Sequence, residues 1–177
     1  MAAFGAFFIF SEKCVYNRRI LYKFVVIYTF FMIQRILYKT ITSRLFRNKA
    51  LLVLGPRQTG KTTLLRQIES ENLETSIWLD CDEPDIREKL TNVTSAQLKN
   101  LIGNKKFVFI DEAQRVENIG ITLKLITDNI KDVQLLVSGS SALEMSGKLN
   151  ETLTGRKFEF RLYPFHLYEL ADFHGQL

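Results

Sequence analysis

The chain has 177 residues, 46% of them hydrophobic, which suffices for one well-filled core or one domain with a short appendage. Its net charge is +5, yet residues 1–50 hold nine Lys or Arg against the single acid Glu12, and the remainder carries fifteen basic and eighteen acidic residues. The basicity therefore belongs to an N-terminal arm, which excludes a protein that is basic over its whole surface.

Two cysteines, Cys14 and Cys81, lie far apart, without Cys-x-x-Cys spacing or nearby histidines. This pattern does not indicate a disulfide framework or a zinc site. We expect both to be reduced thiols in a cytoplasmic protein.

Residues 1–31 contain two apolar runs, "AAFGAFFIF" and "FVVIYTFFMI", which polar residues separate. Neither run reaches the roughly 20 residues that span a bilayer, and no positive segment precedes the first as in a signal peptide. Met32 opens a stretch that is typical of a domain start. We predict that residues 1–31 are not part of the native domain. A membrane-surface anchor is the weaker alternative, and a membrane partner is not expected.

A basic amphipathic helix is predicted over 32–48. Its apolar residues recur at helical spacing, and basic residues occupy much of the remaining surface. The apolar positions are Ile33, Ile36, Leu37, Ile41 and Leu45, and the basic ones are Arg35, Lys39, Arg44 and Arg47. We expect the helix to pack on the main domain with a solvated basic face. Contact with nucleic acid is the weaker alternative.

Five apolar runs of strand length follow, and helix-length segments separate the first four. The runs are 51–54, 76–80, 107–111, 134–138 and 158–162. The helical segments are 61–71, 84–102 (with a break near Thr91) and 117–130, and 140–150 is weaker. Continuous apolar strands that alternate with helices predict an α/β fold, a mostly parallel sheet with helices on both faces.

A phosphate-binding loop is predicted between the first strand and the next helix, in "LLVLGPRQTGKTTLL". The pattern Gly55-x-x-x-x-Gly60-Lys61-Thr62 has the strand–loop–helix context that this motif requires. Glycines let backbone N–H groups approach phosphates, Lys61 reaches the outer phosphates, and the Thr62 hydroxyl ligates Mg²⁺. The expected nucleotide contacts are Gly55, Pro56, Arg57, Gln58, Thr59, Gly60, Lys61, Thr62 and Thr63.

A pair of carboxylates ends the third strand, in "KKFVFIDEAQ". In a parallel sheet this end lies at the same edge as the phosphate loop. We predict that Asp111 holds Mg²⁺ and that Glu112 orients and polarises the attacking water. The alternative is that both acids cap the following helix.

Two further sites are weaker predictions. The fourth strand ends in hydroxyls, and Ser138 or Ser140 could sense the γ-phosphate, or they could belong, with Ser141, to an ordinary serine-rich turn. Arg156 precedes the last strand, and it could neutralise transition-state charge in a neighbouring subunit, or satisfy carbonyls in its own.

These stretches, in this order, resemble an AAA+ P-loop ATPase. More closely they resemble prokaryotic ATP-binding proteins that join such a core to a C-terminal domain of unknown function. The resemblance covers about residues 32–170 and rests on "GPRQTGK", "FVFIDEAQ" and "LLVSGSSALEM". It implies a five-stranded sheet with the 134–138 strand between the phosphate-loop strand and the Asp111 strand. It also implies Mg-ATP as ligand, with Ser138 or Ser140 as the sensor.

The sequence departs from this family in two places. Residues 1–31 have no counterpart in the family, and family members usually continue well beyond the "LYPFHLYEL" stretch. We expect 171–177 to be a short tail, and the C-terminal domain to be missing. The leading interpretation is an ATPase. A nucleotide-binding module with little hydrolysis is the alternative, and a small-molecule kinase is a third possibility, since kinases share the phosphate loop. His166 and His174 do not match a metal-binding pattern, and we expect packing or a frayed end there.

Overall fold

The structure, a computed structural model, describes residues 33–140 and 152–175. All of these belong to one unit, Ile33–Leu177. The predictions for residues 1–31, Ser141 and most of the weak helical stretch 140–150 therefore lie outside the described residues.

A five-stranded parallel sheet forms the centre of the domain, with the strand order β2-β3-β4-β1-β5. The strands are β1 (Ala50–Leu54), β2 (Ser76–Asp80), β3 (Phe107–Asp111), β4 (Gln134–Gly139) and β5 (Lys157–Arg161). Each lies within a residue or so of its predicted position. The prediction that β4 separates β1 from β3 is confirmed.

Strand β1 shows why the sheet needs cover on both faces. All five of its residues are buried. Because side chains alternate along a strand, Leu52 and Leu54 pack into one hydrophobic cluster, whereas Leu51 and Val53 pack into another on the opposite face. The uninterrupted apolar run is thus the signature of a strand between two helical layers.

The helices supply those two layers. Helices α1 (Ile36–Thr42) and α2 (Lys61–Ser70) contribute Ile41 and Leu64 to one cluster. The other cluster receives apolar residues from three helices: α3 (Pro84–Leu90), α4 (Ser95–Ile102) and α5 (Ile119–Asn129). The predicted three-layer α/β class is confirmed.

The break predicted near Thr91 is confirmed by local chemistry. Helix α3 has Pro84 in its first turn, where the missing N–H costs nothing, and it ends at Leu90. Helix α4 starts afresh with a capping box, in which the Thr94 hydroxyl accepts from the Gln97 N–H and the Gln97 side chain accepts from the Thr94 N–H.

The basic helix is shorter than its predicted span of 32–48, since α1 covers only Ile36–Thr42. Hydroxyls of Thr42 and Ser43 bond to main-chain carbonyls at this end of the helix. Beyond it Phe46 has a positive φ of 54°, gives its N–H to the Gln134 side chain and packs edge-on against Phe107 at 5.1 Å. Tertiary contacts here override helical periodicity.

The final helix is α6 (Leu167–Gly175), so residue 171, where the predicted tail begins, lies within a helix; the tail as a domain boundary stays a prediction. None of the helices in the described part of the chain has the length and apolar character needed to cross a membrane. Cys81 is a free, buried thiol, and burial raises its pKa to about 12, so it stays protonated at neutral pH. Cys14 lies outside the described residues.

Candidate functional site

The loop after β1 lies at the carboxyl edge of the sheet, and two glycines shape it. A Cβ on Gly55 would lie 2.1 Å from the Leu162 carbonyl oxygen, so only glycine lets the loop pass this close to the chain after β5. Gly60 has a φ of +89° and immediately precedes α2. The free N–H groups of the first turn of α2 therefore open onto the loop, which makes this edge suited to an anion.

The Lys61 side chain lies over the loop. It is only 4% exposed, and its ammonium donates to the carbonyls of Gly55 at 3.1 Å and Pro56 at 2.7 Å. Burial lowers the pKa of Lys61, and the nearby carboxylates of Glu112 and Asp111 oppose that shift. A buried ammonium of this kind supplies a positive charge where water screens it weakly.

Asp111, at the end of β3, is in contact with both α2 and β4. Its Oδ1 accepts hydrogen bonds from the Thr62 hydroxyl at 3.3 Å and from the Ser138 hydroxyl. Asp111 and Ser138 are both buried, whereas Thr62 is exposed. Because β4 lies between β1 and β3, Ser138 stands between the loop and the carboxylate. The strand order thus brings Asp111 into contact with Thr62, 49 positions away in the sequence, and with Ser138, 27 positions away.

Glu112 follows Asp111 in a left-handed backbone conformation, with a φ of 52°. Its N–H donates to the Ser138 hydroxyl at 3.0 Å. Its carboxylate accepts a hydrogen bond from the Gln114 amide, and the amide oxygen of Gln114 in turn accepts the Ser140 N–H at 2.9 Å. Gln114 therefore links the carboxylate that follows β3 to the backbone that follows β4.

The family of the chain is shown by its sequence. The pattern of the family described as "AAA domain" matches residues 47–171, which include the loop, the carboxylate pair and the strand before Ser140. The chain belongs to this AAA family.

Two curated relatives are uncharacterized proteins. One, from Mycobacterium tuberculosis, is 32% identical over 113 residues, which are 63% of this chain and 24% of that protein. Another, from Methanocaldococcus jannaschii, is 26% identical over 146 residues, which are 78% of this chain and 32% of that protein. The chain thus spans about a quarter to a third of the length of these relatives.

Solved structures share the fold. Saccharomyces cerevisiae RIF2 aligns with a TM-score of 0.54 at 12% identity, over 84% of this chain and 63% of that chain. A chain of Drosophila ORC bound to AT-rich DNA and Cdc6 aligns with a TM-score of 0.52 at 14% identity, over 89% and 66% of the two chains. At these identities the likeness concerns the fold alone.

The AAA domain brings most of the predicted site residues together. Lys61, Thr62, Asp111, Glu112 and Ser138 lie at one edge of the sheet, and Ser140 joins them through Gln114. In the loop itself, Thr59 is buried, while four predicted contact residues expose their side chains. These four are Pro56, Arg57, Gln58 and Thr63.

Arg156 does not lie at this edge. It precedes β5, and its carbonyl accepts the Ala50 N–H at 2.9 Å, so it stands at the amino edge of the sheet. Its guanidinium pairs with Asp128 at 2.7 Å and lines a cavity of about 160 Å³. A strand's length therefore separates Arg156 from the loop of its own subunit. Its guanidinium also donates to the Thr154 carbonyl at 3.3 Å, so the structural role stays open beside the predicted role in trans.

The donor set at Asp111 fits the predicted magnesium ion. Mg²⁺ in nucleotide sites takes one or two protein carboxylates or hydroxyls and fills its remaining positions with water and phosphate oxygens. The Asp111 carboxylate and the Thr62 hydroxyl meet that need. No group of three or more His, Cys, Asp or Glu side chains that could hold a metal by themselves occurs in residues 33–140 and 152–175.

Two residues near the site were missed in the sequence. Gln114 belongs to the "DEAQ" motif, but no function was predicted for it, because the motif alone does not show what its side chain contacts. Arg35 was assigned to the solvated basic face of the first helix, but it is 7% exposed, whereas Arg44 and Arg47 are exposed. Contact of that face with nucleic acid stays a prediction.

Proposed function

We propose that this AAA domain binds Mg-ATP at the carboxyl edge of its sheet and hydrolyses it to ADP and phosphate. The observation that supports this most is the convergence on Asp111. One carboxylate oxygen accepts from Thr62 on the loop helix and from Ser138 on β4, beside the Lys61 ammonium. A loop that only cradles phosphate does not require a buried carboxylate and a buried hydroxyl from two other strands.

In the proposed mechanism, Lys61 and the N–H groups at the start of α2 bind the phosphates. Asp111 and Thr62 would hold the magnesium ion, which when bound neutralises charge on the phosphate oxygens. The Glu112 carboxylate orients the attacking water and takes its proton, and Gln114 holds that carboxylate in place. Ser138 and Ser140 connect the site to β4 and respond to the outer phosphate.

We further propose that Arg156 acts in a neighbouring copy of the chain. It lies at the edge opposite the loop, and its side chain is 40% exposed beside a cavity. An arginine so placed can reach the site of a second subunit, where it would neutralise charge that develops on the transferred phosphoryl group. The salt bridge to Asp128 would then hold the guanidinium ready in the isolated domain.

One observation favours the second candidate, a nucleotide-binding module with little hydrolysis. The Glu112 carboxylate is already engaged by Gln114. If that contact persists with ATP bound, the carboxylate is restrained from the water. ATP binding would then serve to order a surface for a partner, and turnover would be absent at every protein concentration.

The test is phosphate release from Mg-ATP across a range of protein concentrations, with ATP affinity measured separately by calorimetry. We expect Glu112→Gln to keep ATP binding and to lower turnover at least about 100-fold, since a positioned base contributes roughly that much. Glu117→Gln is the matched control, because Glu117 is an exposed glutamate further along the same segment. Wild-type binding without turnover would favour the binding module. Equal turnover of wild type and Glu112→Gln would overturn the assignment of Glu112.

A further inference from the structure

Arg35 is a buried arginine that the proposed mechanism does not use. Its Nη1 donates to the Thr59 carbonyl of the phosphate loop at 2.8 Å, and its Nη2 donates to the Tyr163 carbonyl after β5. Its Nε donates to the Glu169 carboxylate of α6 at 3.1 Å. The guanidinium also lies 4.5 Å from the ring centroid of Phe165. One side chain thus joins the loop to the segment that follows the last strand.

Glu169, the ion-pair partner of Arg35, is itself fixed by several hydrogen bonds. Glu169 is 6% exposed, and it accepts the N–H groups of Ile36 at 2.9 Å and His166 at 2.8 Å in addition to Arg35. Burial by itself would raise the pKa of Glu169, but these N–H groups and the guanidinium lower it. The carboxylate therefore stays charged and keeps the guanidinium in one orientation.

The contact with Thr59 has a consequence for the next residue. The Thr59 carbonyl and the Gly60 N–H belong to the same peptide unit, and the structure contains no cis peptide among its described residues. In a planar trans peptide these two groups point in opposite directions. By holding the Thr59 carbonyl toward its own guanidinium, Arg35 therefore turns the Gly60 N–H away from itself.

The Gly60 position makes this restraint necessary. Gly60 has a φ of +89° and no side chain to restrict its backbone, and a Cβ there would find only Arg35, at 3.8 Å. Thr59 is buried and its hydroxyl donates to the Pro56 carbonyl at 2.9 Å, and the hydrogen bond from Arg35 adds a restraint on the peptide carbonyl itself. A loop N–H that is free to rotate would have to be ordered when a ligand binds, which weakens affinity.

We propose that Arg35 is a positioning residue for phosphate binding, which holds the Thr59–Gly60 peptide so that the Gly60 N–H faces the phosphates of the nucleotide. This inference rests on the proposed nucleotide site. It also makes the segment from Tyr163 to Glu169 part of the support of that site, because Glu169 orients Arg35. Disturbing α6 should therefore weaken nucleotide binding through Arg35.

Glycine-selective ¹⁵N labelling gives a direct readout. The sequence has nine glycines, and ¹³C labelling of threonine carbonyls selects the two that follow threonine, Gly60 and Gly155. We expect ADP with Mg²⁺ to shift the Gly60 amide signal of the wild type and to leave Gly155 in place. In Arg35→Lys, whose ammonium lacks the fork that reaches Thr59, Tyr163 and Glu169 together, the shift should be smaller, and the Kd for ADP should rise about tenfold.

Three further variants separate the outcomes. Arg87→Lys is the matched control, because Arg87 also donates to two backbone carbonyls, those of Cys81 and Asp82, and its Kd should equal that of the wild type. Glu169→Gln, which keeps an acceptor for the Ile36 N–H, should raise the Kd by a smaller factor, and it decides the matter if Arg35→Lys does not fold. Lys61→Ala should weaken ADP binding strongly whether or not Arg35 has this role.

The results that would overturn the inference are distinct from those that would overturn the site. If the wild type binds ADP, and Arg35→Lys or Glu169→Gln binds it equally well with the same Gly60 shift, Arg35 is only a structural residue. If the wild type itself does not bind ADP, the proposed nucleotide site fails, and the role of Arg35 fails with it.

Discussion

The two edges of the sheet carry charged side chains in different ways. At the carboxyl edge, Lys61 and Asp111 are buried; Asp111 accepts hydrogen bonds from α2 and β4, and Lys61 donates to two carbonyls of the loop after β1. At the amino edge, Arg156 and Asp128 form a single pair with side chains 40% and 36% exposed. The same strands end at both edges, so strand sequence alone does not explain the difference.

The comparison shows at which edge buried polar groups lower the stability of this AAA domain. Burying a lysine and an aspartate is unfavourable unless both are paired, so the carboxyl edge keeps a destabilising arrangement that packing does not require. A half-exposed ion pair such as Arg156–Asp128 is worth about 0–1 kcal/mol and costs little to keep. We propose the carboxyl edge, with its buried charges, as the site of ATP chemistry. We propose the amino edge, with its half-exposed ion pair, as the side that contacts another subunit.

The largest expected effect concerns Arg156. In Arg156→Ala we expect turnover to fall about 1000-fold, the contribution of an arginine supplied in trans, with ATP affinity unchanged. Mixing Arg156→Ala with Glu112→Gln should restore part of the activity, because the second variant offers its arginine to the intact Glu112 of the first. The measurement is phosphate release as a function of mixing ratio.

The matched variant for this experiment is Asp128→Asn, which removes the salt bridge and keeps the arginine. It should lower the free energy of unfolding by about 1 kcal/mol or less and leave turnover intact. Unchanged turnover in Arg156→Ala, or mixtures that never recover, would assign Arg156 to structure alone.

The next largest effect separates two lysines, one at each edge. Lys61→Ala should weaken ATP binding at least about 100-fold, because it removes a buried charge–phosphate contact. Lys131→Ala changes an exposed lysine that lines the amino-edge cavity and should leave the affinity unchanged. Calorimetric titration with Mg-ATP measures both. Equal losses in the two variants would place the nucleotide elsewhere.

A smaller effect is expected from Gln114. Gln114→Ala should lower turnover about tenfold and leave the Kd for ATP unchanged, since it frees the Glu112 carboxylate without touching the loop. Gln97→Ala removes the capping glutamine of α4, and it should cost stability without an effect on turnover. A rise of turnover in Gln114→Ala would mean that Gln114 restrains Glu112, as the binding-module interpretation requires.

The smallest effect is a dependence of affinity on pH. Burial lowers the pKa of Lys61, and only the protonated amine attracts phosphate, so ATP affinity should decline a few-fold as the pH rises toward that pKa. The decline should begin at a lower pH than for an ordinary lysine. Lys61→Arg keeps its charge throughout this range and should show no such decline. A flat profile in the wild type would contradict the role of the buried ammonium.

The sequence alone was sufficient for the strands of the sheet and for the position of the loop motif that precedes α2. Runs such as "ALLVL" and "FVFI" have no polar position, and only a strand between two helical layers buries both faces. The loop motif likewise carries its own geometry, because its glycines and its helix start are local features. The order of β1, β3 and β4 came from the resemblance to AAA+ proteins, not from the residues themselves.

The sequence was insufficient wherever a side chain is used at long range. The helical pattern over 32–48 placed Arg35 on a solvated face and extended α1 past Thr42, but Arg35 meets Glu169, 134 residues away, and Phe46 meets Gln134. The role of Gln114 could not be predicted because one of its partners, Ser140, lies 26 residues away, although the other, Glu112, is only two residues away. Periodicity describes a helix in isolation, and it carries no information about partners that the fold brings to it.

The sequence by itself therefore determined the layers, the phosphate loop and the acids at the end of β3, because each depends on neighbours in the chain. Only the tertiary structure decided that Ser138 stands beside Asp111, that Arg156 lies at the opposite edge, and that Arg35 supports the loop. These relations depend on strand order and on buried charge pairing. Both are set by the free energy of the whole fold and by no single segment.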